Sequence, residues 1–136
     1  MTSPHQFLHP SHWKATPGYA NGMAATGRLV VTGGMVGWNA HQEFESDDFA
    51  EQTGQALRNI VDVLAEAGAR PDHIIRLTWY VTDKRAYLDS LSELGRHYKA
   101  AIGRHYPAMA LVQVVALVED RALVEIEATA VVPQEA

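Results

Sequence analysis

Two stretches near the C-terminus, AMALVQVVAL (108–117) and ALVEIEATAVV (122–132), are apolar at nearly every position. A strand that alternates apolar and polar residues needs one covered face, whereas a nearly continuous apolar strand needs both covered. The polar turn Glu119-Asp120-Arg121 between the two stretches predicts a long hairpin. Helical periodicity occurs in only two segments. Phe49, Thr53, Ala56, Leu57, Ile60, Val61 and Leu64 recur after a capping Ser46-Asp47-Asp48, and Tyr87, Leu88, Leu91, Leu94, Tyr98 and Ile102 recur after Asp83. Gly68 and Gly103 stand where these helices should stop. Two helices can cover only one face of a sheet. The other face must meet something else, and a second copy of the chain is the simplest partner. The pattern predicts an α+β sandwich, an about six-stranded mixed sheet with two helices on one face, that is an obligate oligomer.

The remaining strands are shorter. Residues 1–18, with Pro4, Pro10 and Pro17, read as an irregular arm with a short strand at Gln6 to His9. MAATG and RLVVTGG read as two strands joined by a tight turn at Thr26-Gly27. In IIRLTWYV, Ile75, Leu77, Trp79 and Val81 alternate with Ile74, Arg76, Thr78 and Tyr80, the signature of a strand. A length of 136 residues with 47% hydrophobic side chains suits one hydrophobic core, so residues 1–136 are expected to form a single domain. The net charge of −5 disfavours nucleic acid as a partner. With no cysteine, thiolate catalysis and Cys-ligated zinc are ruled out. The N-terminus lacks the basic-then-apolar pattern of a signal peptide, and no apolar run approaches a membrane span, so a soluble cytoplasmic protein is expected.

Glu125 and Glu127 are the clearest chemical candidates, sharing one face of a strand whose other face is wholly apolar. They form either a solvated outer face or, if oligomerisation covers it, a carboxylate-lined cleft suited to acid/base work. Gly33 and Gly34, after Thr32, mark either a bulge or a place where a ligand approaches the backbone. Tyr19 is either a core aromatic or a hydrogen-bonding residue for a ligand. Tyr80, in the 74–81 strand, is a further substrate-binding candidate. His5, His9 and His12 are spaced like ligands, but Pro10 breaks any helix that would align them, so no metal site is expected. His41, His73, His97 and His105 are expected at surface or helix-end positions.

GYANGMAATGRLVVTGGMVG, QALRNIVDVLAEAGA, WYVTD, YPAMALVQVVAL and VEIEATAV, in that order, resemble the RidA/YjgF family of reactive-intermediate deaminases from about Pro17 to Val132. The resemblance implies a chorismate-mutase-like homotrimer with clefts between subunits. It also implies cofactor-independent hydrolysis of enamines or imines to a keto acid and ammonia. By the same resemblance the cleft tyrosine is Tyr19, the strand-end pair is Gly33-Gly34 without the family's serine hydroxyl, and the water-positioning glutamate is Glu125. An asparagine used by some members lands near Leu91. The family's Pro-Ala-Arg, whose arginine grips the substrate carboxylate, is here Pro107-Ala108-Met109. Losing two charge-assisted hydrogen bonds costs about 3–6 kcal/mol, or about 10²–10⁴ in affinity. A cleft with Met109, Met35 and Tyr19 suits a larger or more hydrophobic substrate. The implied function is therefore either an atypical imine or enamine hydrolase or a trimer that binds a small metabolite without turnover. A ribonuclease activity, also attributed to the family, is disfavoured by the acidic charge.

Overall fold

The computed structural model describes residues 3–134. The chain order is β1 (Gln6–Leu8), β2 (Gly22–Ala24), β3 (Arg28–Val31), β4 (Met35–Val36), α1 (Phe49–Ala65), β5 (Ile74–Val81), α2 (Lys84–Asp89), α3 (Leu91–Ala101), β6 (Ala108–Gln113) and β7 (Val124–Val132). A single 3-10 turn, Pro71–His73, leads into β5. The fold is α+β. Its main sheet runs β3-β7-β5-β6, with β4 also on β7, and β1 and β2 form a separate two-stranded ribbon.

The first helix follows its sequence signals. The Asp48 carboxylate accepts the Glu51 N–H at 3.0 Å and so satisfies one of the free donors of the first turn. At the far end the Ala69 N–H reaches the Leu64 carbonyl and the Gly68 N–H the Ala65 carbonyl. This closing motif needs a left-handed residue, and Gly68 has φ 73°. Between the caps, Ala56, Leu57, Ile60 and Leu64 are fully buried. They pack in one core with Leu77, Trp79 and Val81 of β5 and Val124, Ile126, Ala128 and Ala130 of β7. Burying each large aliphatic side chain is worth about 1.5–3 kcal/mol, so this layer dominates stability. Gln52, also buried, fastens α1 to the start of β7. Its Nε2 donates to the carbonyls of Ser46 and Arg121, and its Oε1 accepts the Leu123 N–H.

Strand partnership departs from the local reading in two places. The 23–34 segment is not a hairpin: β2 pairs with β1 of the arm, and β3 pairs antiparallel with β7. The predicted 108–132 hairpin is also absent. Strand β6 runs parallel to β5, while β7 lies antiparallel on the opposite edge of β5. The segment from 114 to 123 straddles the end of β5, with the Val114 N–H on the Val81 carbonyl and the Thr82 N–H on the Leu123 carbonyl. A turn signal marks a reversal of the chain and does not select the strand beside it. A parallel β5–β6 pair needs a long crossover, and α2 and α3 supply it. The second helix is broken at Ser90 (φ −116°, ψ 15°), giving α2 and α3 instead of one rod. Strand β6 ends at Gln113 and is only partly covered, with Val112, Val115 and Val118 exposed in the single chain.

Two of the histidines expected at surface or helix-end positions are buried: His73 is 2% and His105 1% exposed. His105 donates Nε2–H to the Ile74 carbonyl at 2.7 Å, and its Nδ1 has no partner. His73 Nδ1 accepts the Arg70 N–H at 2.9 Å. The arm rests on this pair through His5, 6.3 Å from His73, and Phe7, edge-on to His105. Burial lowers both imidazoles below their ordinary value of 6.5; Arg70 adds to the effect at His73 and Asp72 opposes it, while at His105 the hydrogen bond to the Ile74 carbonyl and then Asp72 oppose it. The folded state therefore binds fewer protons at these rings than the unfolded chain does. Their contribution is complete above pH 6.5 and is lost as pH falls through the folded-state values. We expect the urea midpoint to fall between about pH 7.5 and about pH 5. An unchanged midpoint would show that the two rings do not couple to folding.

Candidate functional site

The chemistry of the open sheet face begins at a bulge. Val31 is opposite Thr129 and Met35 is opposite Ile126, so β3 and β4 together spend one residue more than β7 over the same span. Thr32 absorbs the irregularity. Its N–H donates to the Ala128 carbonyl, its hydroxyl accepts the Ala128 N–H at 3.1 Å, and the same hydroxyl donates to the Gly33 carbonyl at 2.8 Å. A backbone gap that would leave a buried donor unpaired is thus closed by a side chain. Of the two readings of Thr32-Gly33-Gly34, the bulge describes the local geometry, and Thr32 is the residue that sequence reasoning passed over.

Beside the bulge, β7 presents Glu125, Glu127 and Thr129 away from the helices, since Val124, Ile126 and Ala128 are in the core. Gly34 sits against Glu125: a Cβ there would overlap the carboxylate itself. Tyr80 of β5 is directly opposite Glu125, yet its hydroxyl donates to Glu127 Oε1 at 3.0 Å. That hydrogen bond is the main reason the Tyr80 phenol is raised above its ordinary value. The two carboxylates are therefore unequal. Glu127 is engaged by a phenol, whereas no hydrogen bond to the Glu125 carboxylate forms among the described residues.

Tyr19 and Met109 lie elsewhere. Met109 is in register with Leu77 and shares its helix-facing side of the sheet. Together with Tyr19 it lines a cavity of about 560 Å³ where α2 and α3 pass over β5 and β6. Ala20 anchors the tyrosine's segment by bridging to β6, its N–H on the Pro107 carbonyl at 3.1 Å. Within one chain the sheet separates the two groups, with Tyr19 and Met109 on one side and Gly34, Glu125 and Tyr80 on the other. Gly33 is exposed at the bulge. Met35, grouped with Met109 from the sequence, packs against the core and does not line this cavity.

Trp79, Tyr87, Leu91 and Tyr106 also line the cavity. Most of them read in the sequence as ordinary core positions. One signal was present, because the 87–102 stripe is wider than its core contact requires: Leu88 and Leu91 remain 44% and 53% exposed. Burial pushes the Tyr87 and Tyr98 phenols up, so both stay neutral. A separate cleft of about 480 Å³, formed by α1, α3 and residues 37–46, is polar and contains none of the candidate catalytic or substrate-binding residues. Two of the three arm histidines have hydrogen-bond partners: His9 contacts the Trp13 carbonyl and Asn21, and His5 contacts the Val131 carbonyl. No group of three potential ligands suited to a metal occurs among the described residues. No described helix is long and apolar enough to cross a membrane.

Comparison with known proteins supports this architecture. Residues 10–132 match the family model described as Endoribonuclease L-PSP. A RutC family protein of Haemophilus influenzae is 29% identical over 126 residues, covering 93% of this chain and 96% of that protein. The 2-iminobutanoate/2-iminopropanoate deaminase of Escherichia coli strain K12 is 30% identical over 108 residues, covering 77% of this chain and 80% of the deaminase. The crystal structure of the Yersinia pestis protein YyfB, of the conserved Rid family and of unknown function, superimposes with a TM-score of 0.83 at 29% identity, covering 94% of this chain and 98% of the other. With the α+β sheet, the bulge and the β7 carboxylates in place, the chain belongs to the endoribonuclease L-PSP family, that of the RidA/YjgF proteins.

Proposed function

We propose that this protein is a cofactor-independent deaminase of imines or enamines, acting in the cytoplasm as a homotrimer. The observation that carries the reading is the inequality of the two carboxylates: Glu127 is held by Tyr80, and Glu125 is free above a glycine. A carboxylate in that state can accept a proton from water as the oxygen adds to a C=N carbon, then return it to nitrogen as the C–N bond breaks. The products are a carbonyl compound and ammonia. Relatives named as 2-iminobutanoate/2-iminopropanoate deaminases support the reaction class.

The substrate cavity with Tyr19 and Met109 faces away from Glu125 in the same chain, so we assign the complete site to two neighbouring copies. Leu29, Val31 and Val112, on the face that carries Glu125, are 65%, 62% and 45% exposed, an apolar surface suited to such contact. Gly33 would let substrate approach the strand end closely, while the space beside Gly34 seats the Glu125 carboxylate. Met109 stands where the family's arginine would grip a carboxylate, so binding relies less on that group. This favours, as a second reading, a trimer that binds a metabolite without turnover. RNA is a poor substrate for a chain of net charge −5.

Light scattering after gel filtration is expected to give the mass of a trimer; a stable monomer would overturn the composite site. Glu125→Gln should lower imine hydrolysis by about 10²-fold or more while leaving the melting temperature nearly unchanged. Gly34→Ala, which displaces the same carboxylate, should lower turnover at least about tenfold without abolishing ligand binding. Full activity in Glu125→Gln would remove this residue from the reaction, and binding with no turnover in the natural sequence would establish the second reading.

A further inference from the structure

The cavity under α2 and α3 has a chemistry that imine hydrolysis does not by itself require. Two aromatic pairs form its walls. Trp79 and Tyr87 meet edge to face with centroids 6.3 Å apart, and Tyr98 and Tyr106 stack at 5.4 Å with 12° between their planes. Leu91 and Met109 add flexible apolar surface, and no lining residue carries a charged side chain. A carboxylate entering this space would shed water and meet no cation. The Tyr98 hydroxyl donates to the His105 carbonyl, and the buried donor left unpartnered on the lining residues, Trp79 Nε1–H, is neutral and supplies no countercharge for a carboxylate. An aromatic ring, by contrast, gains face and edge contacts with rings already paired in those geometries. The volume of about 560 Å³ lies in the range of small organic ligand sites and exceeds what a three- or four-carbon imino acid fills.

We propose that the preferred substrate is an uncharged arylalkyl imine, bearing an aromatic ring and no carboxylate, with its ring held by the Trp79/Tyr87 and Tyr98/Tyr106 pairs. The reaction rests on the deaminase reading above, whereas the preference for a neutral aromatic ligand rests on the cavity alone. Water oxygen bonds to the imine carbon, the C–N bond breaks, and both water protons finish on nitrogen, leaving an aryl aldehyde or ketone and ammonia. No oxidant or cofactor is consumed. The reaction that supplies such an imine is the two-electron oxidation of a primary arylalkyl amine.

Two measurements on the full-length protein test this. First, calorimetry compares phenylacetone, a neutral aryl ketone, with 2-oxobutanoate. Second, imines are generated in situ, from phenethylamine by a flavin amine oxidase and from 2-aminobutanoate by an amino-acid oxidase, and their loss above the uncatalysed rate is followed. Phenylacetone should bind at least about tenfold more tightly than the oxo acid, and only the phenyl imine should be accelerated. Leu91→Asp, at a half-exposed rim position, should weaken phenylacetone binding about tenfold with the melting temperature little changed. Met109→Arg should shift the preference toward 2-oxobutanoate. Tighter binding of the oxo acid, or binding of neither ketone, overturns the substrate class whatever the turnover. Preferred binding of phenylacetone with neither imine accelerated upholds the ligand class and defeats the deaminase reading instead.

Discussion

Strand β7 is paired on both edges and buried on one face, and the rest of the molecule is arranged around that condition. Its even-numbered residues from Val124 to Ala130 are buried in the core that α1 covers, while Glu125, Glu127 and Thr129 are carried to the other side by the pleat. A shift of one residue would bury two carboxylates and expose the core, a change of many kcal/mol, so the register is strongly specified. The same parity that makes the fold stable also sets the carboxylates on a surface from which the helices are absent.

The bulge at residues 32–34 follows from this register. Strand β3 and strand β4 both pair with β7 but cannot do so in one unbroken ladder, and the surplus residue is accommodated by the Thr32 hydroxyl and two glycines. The space left by the missing Gly34 side chain is the space the Glu125 carboxylate occupies. Packing, backbone irregularity and the position of a reactive group are therefore one structural problem with one solution. Tyr80 completes it by binding the second carboxylate and leaving the first unengaged.

On the opposite side, the crossover that joins β5 to parallel β6 is interrupted at Ser90, and α2 and α3 together roof a cavity. Leu88 and Leu91, on either side of the break, are left about half exposed at the cavity rim. The arm reaches this cavity through Tyr19, and its other end is fixed on the buried imidazoles of His73 and His105. Apolar recognition and the carboxylate face are thus built from different layers, separated by the thickness of the sheet.

Helical periodicity, the caps at Asp48 and Asp83, the stop at Gly68, the 74–81 strand and the alternation around Glu125 were all legible in the sequence, and so was the α+β class. These are local properties: spacing along the chain decides which side chains share a face, and a cap needs only its next few residues. The motifs also sufficed to indicate the family. Strand partners were not legible, because Thr26-Gly27 and Glu119-Asp120-Arg121 report where the chain bends and say nothing of which distant edge is free. The burial of His73 and His105, the role of Thr32 and the distinction between Glu125 and Glu127 depend on contacts with residues far away in the chain. Tertiary structure alone decided that Met109 and Glu125 face opposite sides of one sheet, since that parity is counted through the register of three strands and no segment carries it by itself.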